Sequence, residues 1–271
     1  MRPSAYVSRP CPSARRTSWT LRPLAAVALL GLLAGCGAGV MPAVHSEQER
    51  LAQGRRALAD GQYNVAIELL KAYVTNNAGG ADVDLAIDLL GQANLHIREW
   101  AEAQGQFERL LRDYPESDSA ASASFYLGEA LWGQARGADF DQEFTQKALE
   151  QWQSYLASYP GHWQNALGAA RVQQARERLG KKLANDGLLY LKLRRLGPAR
   201  AYFQRVLDEY PGTQAADQAT LGLAMADARS GKRAEAETAL HALESRPTSR
   251  DLAERVAKEL ARLERHDPKK K

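Results

Sequence analysis

The chain has 271 residues, 45% hydrophobic and 25% charged, which suits one or two folded domains and excludes a disordered or fibrous protein. Its net charge of +4 looks like a footprint for nucleic acid, but residues 1–35 hold five arginines and no acid. Without them, 31 of the 36 basic residues face 32 acids, so the remaining chain gives no electrostatic reason to expect nucleic acid as a partner.

Residues 1–35 have the layout of a signal peptide. An Arg-bearing start leads into an apolar run from Leu24 to Leu33, long enough for an export signal and too short to span a bilayer. The run ends in Leu33-Ala34-Gly35-Cys36, small residues followed directly by cysteine. This resembles the lipobox of bacterial lipoproteins. The resemblance implies cleavage before Cys36, a diacylglyceryl thioether on its sulfur and acylation of the new amino group. With Gly37 after the cysteine rather than aspartate, it implies sorting to the outer membrane, on the periplasmic face. Cys11 would be lost with the signal and Cys36 consumed by lipid, which leaves no cysteine for a disulfide or thiol chemistry. Residues 36–46 then form a short lipidated tether rich in Gly and Ala.

From Glu47 onward the sequence repeats. Gly54 and Ala66 are followed 37 residues later by Gly91 and Ala103, and Gly128 lies a further 37 on. Each Gly–Ala pair brackets two segments of helical period with a polar joint between them, Asp60-Gly61 in the first unit and Arg98-Glu99 in the second. The second unit, with Leu90-Gly91, Ala103, Phe107 and Pro115, follows the tetratricopeptide order of L-G, A-x3-F and P. In the third unit Gly128 and Ala148 stand twenty apart, so about eight extra residues occupy the joint. That insertion carries Phe140 and Phe144 among Asp139, Asp141 and Glu143. Two readings stay open for it: a binding loop, or aromatics tucked back onto the repeat. A long helical stretch from His162 runs into the fourth unit, where Gly187, Ala199 and Pro211 restore the twelve-residue spacings. The fifth unit has Gly231, Ala236 and Leu240. After Ser249, Leu252, Val256, Leu260 and Leu263 make an amphipathic capping helix, and 266–271 is a disordered basic tail. The expected fold over 47–265 is therefore all-α: a tetratricopeptide-like solenoid of about five helical hairpins with a C-terminal capping helix.

Chemistry-bearing motifs are missing. There is no P-loop, nucleophile elbow, GxGxxG or HExxH, and the five histidines lack ligand spacing. The expectation is a non-enzyme without cofactor, metal site or small-molecule substrate. The lipobox, the five units and the three Tyr-Pro repeat ends at 114, 159 and 210 together resemble the BamD family, lipoproteins of the outer-membrane β-barrel assembly machine. Local matches are Phe140 to Leu149, and the stretch from Leu189-Tyr-Leu-Lys192 through Val206 to Thr213. The resemblance implies a lipid-anchored scaffold that helps insert β-barrel proteins. Its N-terminal units would receive partner or substrate segments and its C-terminal units would dock the barrel subunit. The same repeats and anchor would equally serve a general scaffold lipoprotein for cell-envelope, pilus or secretin assembly. In tetratricopeptide proteins the first helix of each hairpin lines the peptide groove. Carrying that register over places Leu51, Arg55 and Leu58, then Asp88, Gln92, Leu95 and His96, then Phe125, Glu129 and Trp132 there. Arg55, Gln92, His96, Phe125, Glu129 and Trp132 are the candidate groove residues, with Cys36 the lipidation site.

Overall fold

A computed structural model of the chain describes residues 45–246 and 248–265. The signal segment over 1–35, Cys36, residues 37–44 of the tether and the tail over 266–271 lie outside the described residues. Among those described, all regular structure is helical. Five antiparallel hairpins follow one another: α1 (Glu47–Ala59) with α2 (Tyr63–Asn76), α3 (Val83–His96) with α4 (Trp100–Asp113), α5 (Ala120–Gln134) with α6 (Glu143–Ser158), α7 (Asn165–Lys192) with α8 (Leu196–Glu209), and α9 (Gln214–Arg229) with α10 (Arg233–Glu244). A last helix, α11 (Arg250–Arg265), closes the array. Each helix packs on the next, and first helices also touch across units, α1 on α3, α3 on α5 and α7 on α9. This is the tetratricopeptide solenoid, in which a unit contacts mainly its neighbours.

Capping residues set several helix starts. Ser46 accepts the Glu49 N–H at 3.1 Å, with Glu47 and Glu49 beside the positive end of the α1 dipole. Thr213 accepts the Ala216 N–H at 3.1 Å before α9. Ser249 accepts the Leu252 N–H at 3.4 Å before α11.

Four of the five hairpin joints share a backbone solution. Gly61, Arg98, Arg194 and Gly231 all have positive φ, and a backbone hydrogen bond then runs back across six residues: Gln62 to Ala57, Glu99 to Asn94, Arg195 to Tyr190 and Lys232 to Asp227, at 2.8–2.9 Å. These are Schellman endings, which glycine adopts without steric cost. Arg98 has φ of 65° and an exposed side chain without a hydrogen bond or ion pair among the described residues. A left-handed non-glycine residue costs about 1–2 kcal/mol, and glycine gives back some of that in the unfolded chain. Arg98→Gly should therefore stabilise the domain by about 0.5–1 kcal/mol, read as a higher denaturation midpoint at unchanged slope; a lower midpoint would contradict it.

The repeat spacing marks the places where helices touch. Ala66, Ala103, Ala148, Ala199 and Ala236 are all fully buried, as are Leu70, Phe107, Trp152, Phe203 and Leu240 four residues on. The core is a row of three clusters along the array: one from Leu51 to Leu179, one around Phe203, and one that joins α9 and α10 to α11. Tyr114, Tyr159 and Tyr210 end their helices and lie half-buried on the first cluster, so the Tyr-Pro tyrosines serve as packing between units. In the insertion Phe144 packs on the core, whereas Phe140 stays half exposed beneath the Arg136 guanidinium, 3.9 Å from the ring centroid. The eight additional residues leave α5 and α6 intact and form a loop over 135–142.

Candidate groove

A cavity of about 450 Å³ opens between α3, α4, α5 and the start of α7. Its lining includes Gln92, His96, Phe125, Glu129 and Trp132, so five of the six candidate groove residues meet there. Arg55 is exposed on α1 and does not line this cavity. The register carried over from tetratricopeptide proteins also needs correction at four positions. Leu51 and Asp88 are buried in the array and Leu58 packs against the core, none of them lining the cavity, and Phe125 is only 1% exposed and supplies wall rather than a free contact surface. The reason is that α3 and α5 are buried on more than one side, so the first-helix stripe is wider than the surface left open.

His96 and Trp132 line the cavity and also pack against neighbours. His96 stacks on Tyr63 with centroids 4.4 Å apart. Trp132 leans on buried Trp152 at 5.8 Å, and the Arg178 guanidinium covers it at 3.4 Å. Glu129 receives a bidentate pair from Arg171, at 2.7 and 2.9 Å, which ties α5 to α7.

The rest of the groove came from residues that the repeat register does not point to. Trp163 and Leu167, 74% and 44% exposed, stand on its rim at the turn into α7. Trp100 lies over Gly133 in the next unit. Gln164 is 3% exposed, lines the cavity and has a side-chain oxygen without a partner among the described residues. A second cavity of about 780 Å³ continues past Trp132, lined by Arg171, Gln174, Glu177, Arg178 and Lys181 of α7 together with Ala138 of the insertion. The insertion is held there by Asn185, whose side chain donates to Asp139 at 2.9 Å. It forms one wall of the groove. The sequence signal was present: Leu167, Arg171, Gln174, Arg178, Lys181 and Asn185 follow one another at alternating spacings of four and three, one face of a helix. A charged stripe of that kind is indistinguishable from a solvated face until a neighbouring helix makes it a wall.

Behind the groove, Asp88 is 5% exposed, and burial pushes its carboxyl up to about 7 despite a hydrogen bond from Gln92 at 2.8 Å; Asp84 nearby adds to the rise. A raised carboxyl contributes no penalty below the unfolded value near 4, where both states are protonated. The penalty grows as pH rises from about 4 to 7 and is complete above. Asp88→Asn should thus be nearly neutral at pH 4 and stabilising by about 2–4 kcal/mol at pH 8. Melting curves of both proteins at the two pH values check this; equal shifts at both would refute it.

Among the described residues no helix is long and apolar enough to cross a membrane. The chain matches the YfiO family, described as outer membrane lipoprotein, over residues 44–243. It is 23% identical over 208 residues to the outer membrane protein assembly factor BamD of Haemophilus influenzae, covering 72% of this chain and 79% of that protein. It is also 23% identical over 205 residues to BamD of Caulobacter vibrioides, covering 74% and 67%. Among solved structures, a crystal structure of a TPR repeats protein from Bacteroides fragilis is similar at 16% identity with a TM-score of 0.42, covering 82% of this chain and 85% of that one.

Proposed function

The chain belongs to the YfiO family of outer membrane lipoproteins, and from that premise we propose that it is a non-enzymatic subunit, anchored through lipid on Cys36 at the periplasmic face of the outer membrane, that helps assemble β-barrel proteins there. The groove is the observation that carries this reading. A 450 Å³ cavity walled by Trp100, Phe125, Trp132 and Trp163 suits the apolar side chains of an unfolded chain. The buried, unpartnered oxygen of Gln164 offers an acceptor for a backbone N–H. The two BamD relatives favour barrel assembly over a general envelope scaffold. The N-terminal units through α7 receive unfolded barrel segments, and the C-terminal units dock the barrel subunit of the machine.

A photoreactive residue at His96 or Leu167, both lining the groove, tests this in native membranes. Capture of barrel precursors or of the barrel assembly subunit, identified by mass spectrometry, is the expected result. Capture of secretin, pilus or cell-wall components would instead make the protein a scaffold for those assemblies.

A further inference from the structure

The groove has two chambers of different chemistry that share one wall. Trp132 lines both, the apolar cavity on one side and the larger one on the other. The larger chamber holds three cations. Arg171 is engaged by Glu129 and Gln174. Arg178 lies on Trp132 and donates to the Arg136 carbonyl at 3.4 Å, with no carboxylate partner among the described residues. Lys181 is exposed and makes no ion pair among the described residues. The single acid in the lining, Glu177, accepts the Gln214 N–H at 2.7 Å, at the N-terminus of α9. Two cations thus face the chamber without an anion of their own, one of them partly desolvated, which pulls Arg178 below its ordinary value.

We propose that the groove selects extended segments in which an apolar side chain is followed or preceded, about five residues away, by an acidic one, the apolar group entering the first chamber and the carboxylate reaching Arg178 and Lys181 in the second. This rests on the reading of the groove as a peptide site. The distance follows from α7 itself. Leu167 on the apolar rim and Arg178 are eleven residues apart on one helix face, about 16 Å at 1.5 Å per residue. An extended chain covers about 16 Å in five residues. The carboxylate is assigned to a side chain rather than to a chain end, because the second chamber, at about 780 Å³, is larger than the first and leaves room for the chain to continue past Lys181 toward Gly212 and Gln214.

The test uses the full mature protein and fluorescein-labelled twelve-residue peptides in a Gly/Ser/Thr background with amidated ends. One carries Phe and an Asp five positions later, one has the order reversed, and two controls replace Asp by Asn or Phe by Ser. The expected result is that at least one order binds, that Asn in place of Asp weakens it about tenfold at low ionic strength, and that the difference shrinks with added salt. Lys181→Gln with Arg178→Gln should erase the preference for Asp over Asn. Equal binding of the Asp and Asn peptides, no binding by any peptide, or a preference that survives the double substitution overturns the proposal. The comparison of peptides on the unaltered protein stands even if the variant fails to fold. Barrel precursors captured from His96 without an acid preference would sink this inference alone. An acid preference without barrel capture would sink the assembly reading alone.

Discussion

Gly128→Ala should destabilise the domain by about 3 kcal/mol or more, lowering the melting temperature by about 6–12 °C for a domain of this size. A Cβ at Gly128 would stand 2.3 Å from Nε1 of Trp152 and 2.5 Å from its Cδ1. The indole has nowhere to retreat: it is fully buried, its N–H donates to the Phe125 carbonyl at 3.3 Å, and Trp132 lies against it. The substitution therefore forces α5 away from α6 and disturbs the wall of the groove at Trp132. Gly91 and Gly187 face Phe107 and Phe203 at 2.6 Å and should follow closely. Gly54 meets the flexible end of Leu70 at 2.8 Å and should cost less. Gly105, mid-helix in α4 and exposed, has nothing within 4 Å of its would-be Cβ, so Gly105→Ala should gain about 1 kcal/mol from helix propensity. A thermal-melt series over these five alanine variants checks the order. Gly128→Ala melting within about 2 °C of the parent would contradict the contact.

The same contacts explain why the fold could be read from the sequence. Gly54 with Leu70, Gly91 with Phe107 and Gly187 with Phe203 are each sixteen residues apart, and the pair Gly128 with Trp152 is stretched by the insertion. Helices can approach this closely only where one side lacks a Cβ and the other is large, so packing writes itself into the chain at a fixed period. The groove obeys no such rule. Trp163 and Gln164 sit in a turn, Trp100 begins a second helix, and Arg178 belongs to a helix of 28 residues, twice the usual length. These positions converge only once the units are stacked, and each repeat fills them differently. The first-helix register points at His96 and Trp132, and both line the cavity. Their stacking partners, Tyr63 and Arg178, come from other helices and are not among the residues it points at.

Removing α11 by ending the chain at Ser249 should cost about 5 kcal/mol and make the protein self-associate. Along this helix Leu252, Val256 and Leu260 are buried at spacings of four, while the remaining faces are charged. They cover Leu221, Leu240 and Leu243, which are at most 1% exposed. Burying three such side chains contributes about 1.5–3 kcal/mol each, an upper estimate because unfolded chains already bury some surface. The exposed leucines would then present an apolar end surface complementary to a second copy's end. Because coupling in a solenoid runs between neighbours, the damage should fade along the array. Hydrogen exchange would show α9 and α10 losing protection while α3 to α6 keep theirs, and groove ligands should still bind. Val256→Asp, which keeps the chain length, should reproduce the pattern at smaller amplitude. Uniform loss of protection from α1 to α10 would instead mean that the array folds as one cooperative unit, and that the capping helix stabilises the groove from a distance.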